Sequence, residues 1–125
     1  MQNLNEYKNL NEYNGIKLGD YVVGVQINYP LLLTKIDDFG NGYPIFECEN
    51  NDRLRYYARY CSKWTPSKDE YCFFFDNENI TPLVATFLAQ AENGKFLANI
   101  PDGKGTLTLG EFTYCIPFNK NRKTS

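Results

Sequence analysis

Short runs of apolar residues recur along this chain, separated by clusters of Gly, Pro, Asn and Asp. The runs are rich in Tyr, Phe, Val and Ile, which fit the pleated surface of a sheet better than a helix. The chain holds ten Tyr and nine Phe in 125 residues, so the material for an aromatic core is present. The pattern predicts a mainly β protein.

One phrase occurs twice, as "PLLLTKIDDFGNG" at residues 30–42 and "PLVATFLAQAENG" at residues 82–94. An offset of 52 residues also places "DYVV" on "CFFF" and "YPIFEC" on "KFLANI", and with two extra residues "ARYC" on "FTYC". Asn-Gly between β-prone runs is a strong hairpin signal, because both residues tolerate positive φ. The repeat predicts two copies of one antiparallel module, whose Pro30 and Pro82 strands are equivalent.

The segment "RLRYYARYCSKW" is ambiguous, since its apolar residues fit helical spacing as well as strand alternation. Its repeat partner, "TLTLGEFTYCIPF", alternates as a strand with a change of phase at Gly110, where a bulge is expected. The repeat therefore favours strands in both places. In the first copy, one side of the strand holds Leu54, Tyr56, Ala58, Tyr60 and Trp64.

Composition argues against catalysis and metal binding. The chain has no His, so the common general base and the usual activator of a Ser or Cys nucleophile are missing. Its four cysteines form no C-x-x-C pair, and they are predicted to be free thiols in a reducing cytoplasm. The polar N-terminus lacks an apolar signal core. We expect no enzyme, no cofactor, no metal site and no membrane segment.

The other side of the first-copy strand carries a basic stripe with an aromatic residue in it. Side chains two apart on a strand lie about 7 Å apart, near the spacing of phosphates along one nucleic-acid strand. A solvated or internally paired face explains the stripe most simply; a protein-binding surface comes next, since Tyr, Trp and Arg anchor interfaces, and nucleic acid comes third. Tyr29, Tyr43 and the turns at Gly40–Gly42 are expected to extend this surface. The candidate partner-binding residues are Arg53, Arg55, Tyr57, Arg59, Lys63 and Trp64.

The second copy ends in Cys115-Ile116-Pro117-Phe118-Asn119. This ending resembles that of small β modules found in phages and mobile elements of Bacteroidota, which close on Cys-Ile-Pro-aromatic-Asn. The resemblance covers about two-fifths of the chain well; the first copy departs from it, with Cys61-Ser62-Lys63-Trp64 in the same place. It implies strongly bent sheets, like small barrels of the Src-homology-3 type, and a mobile-element origin, but no catalytic residue.

The predicted organisation is a flexible arm (residues 1–15), copy one (16–66), copy two (70–119) and a basic tail (120–125), with the two copies packed as one unit. The predicted function is a non-enzymatic protein-binding module that acts on a host protein, such as a nucleoprotein effector of an antiviral system in the manner of an anti-CRISPR inhibitor. The alternative is a nucleic-acid-binding accessory protein that uses the stripe and Lys120, Arg122 and Lys123. A net charge of −2 predicts weak or no direct nucleic-acid binding. An enzyme stays a remote alternative, and a homodimer is left open.

Overall fold

A computed structural model describes residues 8–49 and 55–118, and the chain is mainly β with antiparallel strands. It divides into two compact units, Met1–Trp64 and Thr65–Ser125. The first unit contains β1 (Lys8–Leu10), β2 (Glu12–Tyr13), β3 (Ile16–Lys17), β4 (Tyr21–Gly24), β5 (Ile27–Asp38), β6 (Ile45–Cys48), β7 (Arg55–Tyr57), a 3-10 turn (Ala58–Tyr60) and β8 (Cys61–Lys63). The second contains β9 (Tyr71–Phe75), β10 (Leu83–Gln90), β11 (Phe96–Pro101), β12 (Leu107–Phe112) and β13 (Tyr114–Pro117).

The sheet of the first unit has the strand order β7-β6-β5-β4-β8. The long β5 lies in the centre, where it pairs with β4 near its start and with β1 near its end. The small pair β2–β3 lies outside this path. Residues 8–13 were predicted to belong to a flexible arm, but they form strands, and Tyr13 packs edge-on against Phe46 with ring centroids 6.1 Å apart.

The connection between β7 and β8 requires a strongly curled sheet. These strands lie at opposite ends of the five-strand path, which in a flat sheet would separate them by about 19 Å. The 3-10 turn that joins them has three residues and spans only about 6 Å. Among the described residues β7 and β8 do not pair, so the sheet is not closed into a barrel.

The buried apolar side chains of this sheet form one cluster. Ile36 pairs directly with Phe46, so their side chains lie on the same face of the sheet, and both are fully buried. Leu33 is also buried, with 1% exposure. The rest of the buried cluster consists of Ile16, Val22, Leu31, Cys48 and Ala58.

The sheet of the second unit has the order β12-β11-β10-β9-β13. Its three consecutive phenylalanines alternate, so that Phe74 is buried against Phe112 while Phe73 and Phe75 lie on the other face. There Phe73 stacks on Phe118 and Phe75 on Tyr114, both with ring centroids 5.1 Å apart. The predicted strand over "PLVATFLAQAE" is confirmed as β10, and Asn93-Gly94 forms the turn that follows it.

The two sheets have the same strand order and largely the same pairing register, although their corresponding residues are not 52 apart. Val22 pairs with Leu31 just as Cys72 pairs with Ala85, so corresponding residues are 50 apart in the first strand and 54 apart in the second. Each central strand also has a bulge in its pairing with the strand that follows it, at Leu33–Lys35 in β5 and at Phe87–Ala89 in β10. The β4–β5 ladder has a further register shift between Val22 and Gly24, which the β9–β10 ladder lacks.

The residue of the second sheet that corresponds to Pro30 is therefore Val84. The alignment of Pro30 with Pro82 does not give the register. The expected bulge at Gly110 is also wrong, because β11 and β12 pair without a register shift there. Gly110 serves packing: a Cβ at this position would come within 2.6 Å of Ile100 Cδ1 and 2.8 Å of Phe112 Cε2.

The described part of the chain contains no helix with the length and apolar character of a membrane span. The predicted basic tail lies outside the described residues.

Candidate binding site

Three tyrosine rings surround one guanidinium group on the surface of the first unit. The Arg59 carbon Cζ lies 4.5 Å from the ring centroid of Tyr43, 4.7 Å from that of Tyr60 and 5.4 Å from that of Tyr57. Adjacent rings meet edge to face, with centroids 6.3 Å apart for Tyr43–Tyr57 and 6.2 Å apart for Tyr57–Tyr60. All three rings are about half exposed, at 45% to 53%. We call these four residues the arginine–tyrosine cluster.

The 3-10 turn positions the cluster. Ala58 is buried, and its N–H donates to the Pro44 carbonyl over 2.9 Å, which fixes the turn against the loop between β5 and β6. With Ala58 pointing inward, Arg59 and Tyr60 project into solvent. The same loop carries Tyr43, whose N–H donates to Asn41 Oδ1. Two segments distant in sequence thus meet on one surface.

A cleft of about 330 Å³ borders the cluster and shares Tyr57 and Tyr60 with it. One wall is the two-residue turn between β4 and β5, where Val25 is 84% exposed. The other wall is β7 with the 3-10 turn. Among the residues that the structure describes, the lining has no acidic side chain and consists of Gly24, Val25, Gln26, Ile27, Arg55, Tyr56, Tyr57, Tyr60 and Cys61.

The basic residues at this site differ in their partners. Lys63 Nζ lies 3.9 Å from Asp20 Oδ2, so part of its charge is balanced within the unit. Among residues 8–49 and 55–118, no carboxylate lies within 4.0 Å of the guanidinium of Arg55 or Arg59. The cleft therefore has apolar aromatic walls and two arginines at its margin.

The continuous stripe predicted from alternation is not what the chain forms. The 3-10 turn interrupts the strand, and β7 and β8 pair on opposite edges of the sheet, with Arg55 on the first and Lys63 on the second. The even 7 Å spacing expected for phosphate contacts is therefore lost. Tyr60, predicted to face inward, is 53% exposed.

The remaining predicted site residues have separate environments. Trp64 is half-buried and meets Tyr21 edge-on at 6.3 Å, away from the cluster's ring contacts. Arg53 and Leu54 lie outside the described residues. Sequence reasoning missed Tyr60 and the turn at Val25 as surface residues, while it named Tyr43, Tyr57 and Arg59.

The thiols of Cys48, Cys61 and Cys115 are poorly suited to nucleophilic chemistry. Burial raises the pKa of the Cys48 thiol to about 12, with smaller effects from Cys61 and Glu47. Burial also raises the pKa of Cys61, and a hydrogen bond with Cys72 raises that of Cys115. Protonated thiols are weak nucleophiles. All four cysteines are free, as predicted.

Comparisons of the chain with protein-family models, with curated proteins and with solved structures find no significant match in any of the three.

Proposed function

We propose that this chain is a non-enzymatic protein-binding module, and that the arginine–tyrosine cluster with its adjoining cleft is the binding surface. The observation that carries the proposal is the Arg59 guanidinium held over three half-exposed tyrosine rings. Tyr and Arg are enriched among the few residues that supply most of the affinity at protein interfaces. The cleft beside them offers a place for an apolar side chain of the partner.

Pre-organisation strengthens this argument. An exposed arginine ordinarily samples many rotamers, and a partner that immobilises it loses about 0.5–1.5 kcal/mol of binding free energy for each such side chain. Arg59 is already packed on rings that are held by their edge-to-face contacts. Less rotamer freedom is therefore lost when a partner binds.

A protein partner fits this surface better than nucleic acid does. Single-stranded nucleic acid needs free aromatic faces for base stacking and a row of cations for phosphates. Here Arg59 covers the rings, Lys63 has an acidic partner, and the net charge of the chain is −2. Nucleic-acid binding through Arg55 and Arg59 is the alternative that the experiment below separates.

We propose a phage or mobile-element origin and a cytoplasmic host protein as the target, such as an effector of an RNA-guided antiviral system. These statements rest on the resemblance of Cys115–Asn119 to the endings of Bacteroidota modules. They name the class of partner to look for first.

We also propose that the two sheets are degenerate copies of one Src-homology-3-like module. When β1, β2 and β3 are left aside, each unit has five strands in chain order, β4–β8 and β9–β13. In each sheet the fifth of these strands pairs with the first, which gives the order 5-1-2-3-4. This is the strand order of that barrel type. A very short link joins the fourth and fifth strands in each: the 3-10 turn in the first unit and Thr113 in the second.

The experiment is capture of host proteins on the tagged full-length chain, with and without nuclease treatment. We expect Arg59→Ala to weaken capture by at least about 2 kcal/mol, as for an interface hot spot. Arg59→Lys keeps the charge but loses the planar group, so it should lose most of the same affinity. Lys95→Ala, which removes an exposed cation of the second unit, is the matched control.

Nuclease treatment decides between the two classes of partner. Capture that survives nuclease and fails with Arg59→Lys supports the protein-binding function. Two results would assign the surface to nucleic acid: capture that disappears with nuclease, or capture by the Arg59→Lys variant that equals that of the wild type. Capture unaffected by any change at Arg59 contradicts the proposed site.

A further inference from the structure

The outer edge of β12 is an unprotected strand edge. In the part of the chain that the structure describes, β12 pairs only with β11, along all six residues and without a bulge. The single charged residue of β12 is Glu111, whose Oε1 lies 3.9 Å from Lys95 Nζ of the same sheet. Edge strands are ordinarily blunted by proline, unpaired lysine or a bulge. None of these is present in β12, and Leu107 and Leu109 are 64% and 60% exposed.

The hydrogen-bonding phase of β12 determines which groups face outward. The N–H of Asp102 donates to the Thr106 carbonyl over 3.1 Å, so this pair is hydrogen-bonded. Bonded and non-bonded pairs alternate along an antiparallel ladder. Pro101, opposite Leu107, has no N–H, in agreement with a non-bonded pair. Thr108 therefore bonds inward to β11, while the N–H and C=O groups of Leu107 and Leu109 point away from the sheet.

The sequence at this edge is self-complementary. Leu107-Thr108-Leu109 reads the same in both directions. A second copy that pairs antiparallel about Thr108 would set each Leu107 opposite Leu109 of the other chain. Leu107 and Leu109 hold the outward-facing backbone groups, so both Leu–Leu pairs would exchange two hydrogen bonds. The leucine side chains would pack on one face of the sheet, and the two threonines would meet on the other.

We propose that the chain forms a two-fold symmetric dimer by antiparallel pairing of β12 with β12 of a second copy, centred on Thr108. The pairing joins two five-stranded sheets into one of ten strands and removes the open edge. A second copy is favoured over a foreign strand because the Leu-Thr-Leu pattern supplies its own matching register. The inference does not depend on the proposed function, since it uses no residue of the arginine–tyrosine cluster.

A designed disulfide tests the two-fold axis. Thr108 would lie opposite its own copy in a non-bonded pair, where side chains approach closely, with Cβ atoms about 4.5–5.5 Å apart. We expect the full-length Thr108→Cys variant to form a covalent dimer under mild oxidation. Glu111→Cys is the matched control. Position 111 is exposed, but in the proposed dimer the cysteine at 111 of one chain would lie about 20 Å along the strands from that of the other. Equal cross-linking by both variants would overturn the proposal.

Sedimentation equilibrium tests the interface without cysteine. We expect wild type to dimerise with rising concentration, and Leu107→Lys and Leu109→Lys to weaken the dimer at least tenfold, because a charged edge resists pairing. Both leucines are exposed, so the fold is retained. A wild type that stays monomeric to millimolar concentration, or a dimer unaffected by both lysine variants, overturns the proposal.

Discussion

Leu33 and Phe87 occupy the same place in the two sheets. The Leu33 carbonyl accepts from Gly19 N–H at 3.0 Å, and Leu33 N–H donates to the Asp20 carbonyl at 2.8 Å. Phe87 makes the same two bonds, accepting from Asp69 N–H at 2.7 Å and donating to the Glu70 carbonyl at 2.8 Å. Both side chains are buried, at 1% and 8% exposure, and each lies just before the bulge of its central strand.

Truncation at these two positions should therefore destabilise the protein in a similar way. We expect Leu33→Ala to lower the free energy of unfolding by about 2–5 kcal/mol and Phe87→Ala by about 3–5 kcal/mol, through lost burial and the cavity left behind. Urea denaturation measures both. Ile80→Ala, at a 57% exposed position, is the control and should change stability by under about 0.5 kcal/mol. A loss at Leu33 or Phe87 no larger than the control would contradict the assigned core.

Alanine should be tolerated differently at two glycines. At Gly24 a Cβ would lie 2.7 Å from the Tyr60 carbonyl oxygen, which is backbone of the 3-10 turn and cannot move aside alone. At Gly110 the nearest atoms belong to the side chains of Ile100 and Phe112, which can shift. We expect Gly24→Ala to cost about 1–3 kcal/mol. Gly110→Ala should cost less. Thermal unfolding of both variants checks the order, and the reverse order would contradict the described contact.

The fold was predictable from the sequence as far as strands and their order of appearance. An apolar run located β9, the internal repeat favoured a strand at β10, and the Asn93-Gly94 turn joined β10 to β11. The register was not predictable from a constant offset, because loops of different length compensate one another. The turn between β4 and β5 has two residues, whereas residues 76–82 link β9 to β10, and the loop between β5 and β6 is longer than its counterpart. The offset between corresponding residues is 50 in the first strand and 54 in the second, and 52 is the average of the two.

The candidate site was predictable in its residue types but not in its geometry. The segment around Ala58 fitted both helical and strand periods, and the chain uses each in part: a strand, one 3-10 turn, then a strand. A single turn of helix is too short to produce a periodic signal. The contact of Arg59 with Tyr43 depends on a loop 16 positions earlier in the chain, which local pattern cannot show.

Alkaline pH should destabilise the protein through Cys48. Its pKa is raised from 9.0 to about 12 in the folded state, so above pH 9 the unfolded chain loses a proton that the folded chain keeps. The free energy of unfolding therefore falls with pH between about 9 and 12, by up to about 1.4 kcal/mol per pH unit for this thiol. Cys48→Val removes that contribution while the other thiols stay. Urea titrations at several alkaline pH values should give a shallower slope for the variant, and equal slopes would contradict the prediction.

The most direct test of the binding surface is a photo-cross-linking residue placed at Tyr60 in the full-length chain in host cells. Tyr114 supplies the matched position, since Tyr60 and Tyr114 immediately precede Cys61 and Cys115, which pair at corresponding places on β4 and β9. Their side chains are similarly exposed, at 53% and 45%. We predict a discrete protein adduct from position 60 that Arg59→Ala abolishes, and none from position 114. A nucleic-acid adduct at position 60, or the same adducts from both positions, would contradict a protein-binding surface at the arginine–tyrosine cluster.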